Sequence, residues 1–231
     1  MSKIFFIIKF LRHARISLIV GLILREVARR IYSNYFFYCL RFDVSKNIVI
    51  PNVPFSLKIK KLHMNDLFKI VNFYKGITSD ELKYLIEIIR LFHAGIPTCY
   101  AAYSDNGEPY ALCWLISYND KMKIKKYFKG NILDLKYDEV LCESIYTHHN
   151  YRGFDLMAYL TYALFKIANQ EGAKRAIAYV KDSNVISLKQ SMRIGWKPFL
   201  IKKVQFRFFR RYVSYSQNYP DKRYLKYSSN I

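Results

Sequence analysis

The chain has 231 residues, 52% hydrophobic and 24% charged, which places it in the globular range and excludes a disordered, collagen-like or low-complexity polymer. At this length one large domain, or one domain with an extension, is expected. A formal net charge of +21 at pH 7 points to anionic partners: nucleic acid, a phosphorylated cofactor or an acidic membrane face.

Residues 1–34 are apolar and basic together. The longest uncharged run, Ile16 to Leu24, is far short of the ~20 residues a membrane span needs. Basic residues lie on both sides of it, Arg12 and Arg15 before and Arg25 and Arg29 after, unlike a signal peptide. One or two basic amphipathic helices are expected, either lying on an anionic membrane or packed on the domain with Lys and Arg solvated. Residues 35–54, with Pro51 and Pro54 near their end, read as a connection, and the compact domain is expected to begin near Pro54. The expected organisation is a helical extension and linker over 1–50, a domain over 51–215 and a basic polar tail over 216–231.

Phe55 to Leu62 alternates as a half-buried strand does. Asn65-Asp66 then offers a helix start before Leu67, Ile70 and Val71. Thr78-Ser-Asp-Glu81 has capping-box spacing and leads into a second helix that Gly95 and Pro97 stop. Pro97 to Tyr103 and Tyr110 to Tyr118 read as strands joined through an Asn106-Gly107 hairpin turn. Lys121 to Asp138 reads as a polar excursion, of a length often functional, before a strand over Val140 to Thr147. An amphipathic helix follows, with Leu156, Leu160, Leu164 and Ala168 on one stripe and Gly172 at its C′ position. Ala176 to Val180 reads as a strand covered on both faces. A short helix capped within Asp182-Ser183-Asn184 and ended by Gly195 comes next, then two closing strands, Trp196 to Leu200 and Val204 to Phe209. The expected order is βααβββαβαββ.

Cys39, Cys99, Cys113 and Cys142 lie in apolar stretches without CxxC spacing and read as buried reduced thiols. His148-His149 is the only adjacent histidine pair. On a strand two neighbours point to opposite faces, which argues against joint ligation, so no metal is expected. No nucleic-acid motif is recognisable, and nucleic acid is not an expected partner.

A strand, a turn containing Arg-Gly and then a helix can hold phosphate, because unpaired N–H groups and the positive end of the helix dipole meet there. Here the context is Ile145-Tyr-Thr-His-His-Asn-Tyr-Arg-Gly153, a helix, a buried strand, Asn184-Val-Ile-Ser187 and Ile194-Gly-Trp196. This resembles the GNAT acyl-CoA N-acyltransferase superfamily, closely over Val140 to Leu200 and by element order over Phe55 to Tyr118. The family's fourth strand ends in Tyr-Val-x-Pro-x-Tyr-Arg-Gly, and its pyrophosphate loop reads Arg/Gln-x-x-Gly-x-Gly/Ala.

The resemblance implies an α/β (α+β) fold with a mixed, mostly antiparallel central sheet flanked by helices. It implies acetyl-CoA or another acyl-CoA as co-substrate, with no metal. Arg152 takes the place of the leading Arg/Gln, and Gly153, Phe154, Asp155, Leu156 and Met157 complete the loop. Tyr146, Thr147 and His148 match the end of the fourth strand, where two parallel strands splay apart around pantetheine. Asn184 and Ser187 match the cofactor-side helix. Asp155 and Met157 stand where the family has Gly or Ala, and Ser191 where many members have a Tyr that protonates the leaving thiolate. Glu143, on the strand and by alternation on the face of Ile145 and Thr147, is the first candidate general base, and His148 the second.

Two functions follow: transfer of an acyl group to a primary amine, such as an envelope amino sugar or lipid-linked intermediate, or a GNAT-fold module that has lost turnover and serves binding or membrane recruitment. The expected location is cytoplasmic, with residues 1–34 offering a peripheral hold on the inner membrane face.

Overall fold

The computed structural model describes residues 16–46, 49–63, 66, 79–96 and 98–217. Helix α1 (Ile16–Ile31) runs directly into strand β1 (Tyr32–Asp43), followed by β2 (Lys58–Lys61), helix α2 (Ser79–His93), and the hairpin strands β3 (Cys99–Tyr103) and β4 (Pro109–Ser117). Helix α3 (Lys121–Phe128), β5 (Glu139–Thr147), α4 (Leu156–Gln170), β6 (Arg175–Lys181), α5 (Val185–Arg193), β7 (Lys197–Arg207) and β8 (Arg210–Ser216) complete the described chain. The eight strands form one sheet in the order β2-β3-β4-β5-β6-β1-β7-β8. Every pairing is antiparallel except β5 with β6, because α4 carries the chain back between those two strands and lets them run the same way.

Strand β1 departs most from the sequence reading. Residues 35–43, expected as connecting chain, lie inside the sheet, with Phe37 opposite both Lys181 of β6 and Lys202 of β7. Hydrogen bonding on both edges and burial of Tyr38, Cys39, Leu40 and Phe42 explain why so aromatic a segment is a strand: these four side chains meet covered faces, while Arg41 and Asp43 at its end are exposed. Its composition had no alternation to show, since both faces are apolar there. The described element order therefore opens with a helix and a strand ahead of the expected first strand.

Three further differences are local. The Lys121–Asp138 excursion contains α3, whose Ile124 is buried while its lysines stay in solvent. The closing segment is one strand, Lys197–Arg207, turning at Phe208-Phe209 into β8, rather than two strands broken at Ile201. The N-terminal region is helical over Ile16–Ile31 but extended from Tyr32. Its first 15 residues, the expected helix over 65–71 and most of the tail lie outside the described residues.

Two cores sit on opposite faces of the sheet. On one, Leu156, Leu160, Leu164, Phe165 and Ala168 of α4 pack on Cys113 and Leu115 of β4, Val140 and Cys142 of β5, and Ala176 and Ala178 of β6. Leu160 and Leu164 are wholly buried, and truncation of either to Ala would cost about 2–5 kcal/mol. On the other face, Ile88 and Leu91 of α2 and Ile124 of α3 cover Leu112, Trp114 and Ile116 of β4, with Leu141 and Ile177 beneath. The Trp114 indole N–H donates to the Ile96 carbonyl at 3.2 Å, satisfying the one polar group of the largest buried side chain.

Candidate active site

The site begins with a backbone irregularity. Leu112 and Trp114 of β4 face Tyr146 and Glu143 of β5, so Cys113 alone stands opposite Ser144 and Ile145. That is a β-bulge, and Ser144 takes φ 51° to make it, a left-handed conformation costly for a side chain other than glycine. Pairing of β5 with β6 ends at Cys142 and Ala178, although β6 continues to Lys181 against β1. The two parallel strands part at this point. Residues 143–147 and 179–181 are thus left without pairing to each other.

The bulge also resets side-chain alternation. Leu141 and Tyr146 belong to the core under α2 and α3, whereas Cys142 and Ile145 belong to the α4 side. Glu143, two residues from Leu141, therefore shares the α2–α3 face with Tyr146. Unbroken alternation wrongly put it with Ile145 and Thr147.

Around Glu143 this face is polar within an apolar wall. Its Oε1 accepts from the Ser144 N–H at 3.2 Å. Burial and, next, the negative charge of Glu87 on α2 push its pKa up from 4.5 to about 7, while Ser144 and Lys202 pull the other way. Glu87 is itself engaged: Tyr127 of α3 donates to its Oε1 at 2.6 Å, and Arg90 lies 3.3 Å from Oε2. Lys202 of β7 is 5% exposed and stands over the rings of Tyr179 and Phe37 at 4.8 and 5.4 Å. Burial and then Arg211 bring its pKa down to about 8, against an opposing pull from Glu143. Glu87, Tyr127, Tyr179 and Lys202 escaped the sequence reading because they come from four elements and no spacing links them.

At the end of β5 the chain makes a tight turn, His149–Tyr151, before α4. Tyr110 and Tyr151 stack at 3.6 Å, and Phe55 meets both Tyr151 and Phe154 edge-on, so an aromatic platform holds the loop. Gly153 has φ 88° and Asp155 φ 55°. These left-handed residues turn the chain into α4, whose first internal bond runs from the Tyr159 N–H to the Asp155 carbonyl at 2.9 Å. Helix geometry leaves the N–H groups of the preceding residues directed outward at the positive end of the helix dipole. Leu156 is buried and Met157 packs on the core, so what they present to the loop is backbone.

The Asp155 carboxylate makes no capping bond to that end and closes an ion pair with Arg193 of α5. Arg152 instead reaches back, its Nε donating to the Thr147 carbonyl at 3.1 Å and its guanidinium lying 5.9 Å from the Tyr146 ring centroid.

No family model and no curated protein matches the sequence. Solved structures do match the fold. A GCN5-related glucosamine N-acetyltransferase region in a fungal multidomain GH3 β-N-acetylglucosaminidase superposes with a TM-score of 0.58 at 11% identity, over 75% of this chain and 21% of that one. A functionally unknown conserved protein from Staphylococcus epidermidis gives 0.51 at 9% identity, over 89% and 69%. A Drosophila protein gives 0.50 at 13%, over 85% and 60%. The chain has the GNAT fold.

Within the GNAT fold the remaining candidate residues fall as follows. Tyr146 is buried at the bulge beside Tyr84, ring centroids 5.5 Å apart. Thr147 supplies the carbonyl that Arg152 grips. His148 and His149 lie beyond the strand instead of within it, with rings 4.2 Å apart, so strand alternation does not apply to them. His148 is buried, its own N–H bonded to Tyr110 and its Nδ1 accepting from the Asn150 N–H at 3.3 Å. Asn184 caps α5 by accepting from the Ser187 N–H at 3.3 Å. Phe154 is exposed apart from its contact with Phe55. All four cysteines are free thiols and buried.

Proposed function

We propose that this protein is an acyl-CoA-dependent N-acyltransferase acting on a primary amine. The observation that carries the reading is the bulge at Ser144 beside the point where pairing of β5 with β6 stops, an arrangement that would open a cleft with Glu143 on its wall and the α4 N-terminus at its mouth. The residues present suit acyl-CoA as co-substrate. Backbone N–H groups from Gly153 to Met157 would hold the pyrophosphate at the helix N-terminus, with Arg152 adding charge. The departure that most threatened this arrangement, Asp155, is neutralised by Arg193. Asn184 and Ser187 would line the far side, and the pantetheine arm would run between the parted strands.

In this reading acyl-CoA supplies the activated acyl group. Glu143, with a pKa near 7, takes the proton from the acceptor ammonium, directly or through one water. A backbone N–H freed where β5 leaves β6 donates to the thioester oxygen as charge builds there. The freed amine attacks, the C–S bond breaks, and the second proton of the nitrogen passes through water to the departing thiolate, since Ser191 offers no phenol. We assign the base to Glu143 over His148, because the Nδ1 of His148 is already used in holding its turn.

The acceptor enters from the α2–α3 face. An amino sugar is the first candidate, since one neighbour is described as a glucosamine N-acetyltransferase region. Thiol release from acetyl-CoA in the presence of glucosamine and a panel of other primary amines tests the reading, with Glu143→Gln as control. If calorimetry detects no CoA binding and no amine elicits thiol release, the module without turnover takes its place.

A further inference from the structure

Helix α1 carries an exposed apolar stripe. Val20, Ile23, Leu24, Val27 and Ile31 recur at helical spacing and are all exposed, Leu24 at 64%. Among the described side chains, Arg29 is one that ties the other side of the helix to the sheet. Arg29 pairs with Glu26 at 2.5 Å, donates to the Tyr35 hydroxyl at 2.6 Å and lies 4.5 Å from the Phe206 ring centroid. An apolar stripe of this kind on a soluble domain marks something that covers it.

The β7–β8 turn extends the same surface. Its Phe208 and Phe209 N–H groups donate to the Ile31 and Arg30 carbonyls at 2.8 and 2.7 Å, so the hairpin tip is fastened to the C-terminus of α1. Both rings point into solvent, Phe208 at 83% exposure. Arg30 and Arg210, next in sequence to Ile31 and Phe209, are exposed, as is Arg25, while the acidic Glu26 is already bridged to Arg29 and Arg30.

We infer that α1 and the Phe208-Phe209 turn together form a docking surface for an anionic lipid bilayer. Aromatic rings at a loop tip and a helical stripe of Leu, Ile and Val enter the acyl boundary, and the arginines meet lipid phosphates. Charge favours this occupant over a second copy of the chain, which would set the same arginines against each other. The surface lies at the end of the sheet where the proposed cleft lies: β1 is antiparallel to β6 and its residues 32–36 run past the last pairing of Phe37 with Lys181, at the end where β5 and β6 part. Acceptors displayed on a membrane would therefore meet the cleft, a consequence that rests on the proposed function, whereas the docking itself does not.

The test is co-sedimentation of the full chain with vesicles of phosphatidylcholine alone or of phosphatidylcholine mixed with phosphatidylserine, the lipid that makes the surface potential negative. Binding to the anionic vesicles is expected, falling at least tenfold on raising the salt from 0.05 to 0.5 M, roughly where screening removes surface attraction. Phe208→Ser with Phe209→Ser, and separately Leu24→Ser with Val27→Ser, should each lower it about tenfold while circular dichroism and thermal unfolding stay unchanged. No anionic-vesicle binding, or full binding by both double variants, overturns the inference. A dimer in sedimentation equilibrium without lipid that the Leu24→Ser, Val27→Ser variant abolishes would equally overturn it, assigning the stripe to a second copy.

Discussion

Arg193, at the end of α5, is ion-paired with Asp155, the residue that turns the chain into α4 at φ 55°. The pair joins the two helices that border the proposed CoA loop, and it decides the local charge. An unpaired carboxylate ~4 Å from a phosphate would repel it by roughly 4 kcal/mol at an effective dielectric near 20, enough to abolish micromolar binding. We expect Arg193→Ala to weaken CoA binding at least tenfold by calorimetry, and Asp155→Asn in that background to restore most of it. Asp155→Gly alone should change affinity by less than tenfold, since glycine accepts the left-handed conformation and removes the charge with it. If Arg193→Ala and the double variant bind equally poorly, Arg193 is contacting the ligand itself.

Glu143 must be ionised to accept a proton, so acyl transfer at subsaturating amine should rise with pH through about 7, the value to which burial and Glu87 raise it. Glu143→Gln should lower kcat by roughly 10²-fold and remove that limb. Lys202 works in the opposite direction, favouring the ionised form of Glu143. Lys202→Met should therefore move the limb to higher pH, leaving the alkaline plateau nearly unchanged. A limb that stays in place would show that the two groups are not coupled in the working enzyme.

Much of this arrangement was legible before the fold was. Arg152-Gly153 before an amphipathic run located the α4 N-terminus, and the strand ending at Thr147 was found to within one residue at each end, because turn chemistry and hydrophobic period are local. The bulge was not legible: Ser144 carries no marker for a left-handed residue, and without it alternation put Glu143 on the wrong face. Strand β1 is illegible for a related reason, since it follows the helix Ile16–Ile31 with no turn residue between them and its aromatic run shows no alternation. Arg193, Lys202 and Glu87 reach the site through tertiary structure alone.

The raised pKa of Glu143 is also a statement about stability. The folded protein holds that proton up to about pH 7, whereas the unfolded chain releases it near 4.5, so between those values the native state binds more protons and stability falls as pH rises. The accumulated loss is up to about 3 kcal/mol at pH 8. Glu143→Gln, uncharged at every pH, should raise the unfolding free energy by that order at pH 8 and by almost nothing at pH 4. Urea titrations at the two pH values measure the difference, and an equal effect at both would mean that Glu143 ionises normally in the fold.

The bulge itself offers the last test. Ser144 at φ 51° stores strain of about 1–3 kcal/mol, the range for a non-glycine residue held in a sparsely populated region. Glycine at this position would relieve it but would also enlarge the conformational freedom of the unfolded chain, by about 0.4–1 kcal/mol. Ser144→Gly should therefore be neutral to slightly stabilising and keep kcat within a fewfold, since the main-chain N–H of residue 144 still donates to Glu143, while loss of the hydroxyl, which also favours the ionised form, moves the Glu143 limb to higher pH. Valine is the contrasting substitution, because β-branched side chains are genuine outliers at positive φ. Ser144→Val must either pay the strain or push the bulge along β5, which would close the gap from β6 and return Glu143 to the other face. We expect loss of at least about 2 kcal/mol in urea unfolding together with a fall in kcat larger than the stability loss explains at temperatures where the variant is folded. A Ser144→Val protein with native stability and turnover would show that the cleft does not depend on this residue.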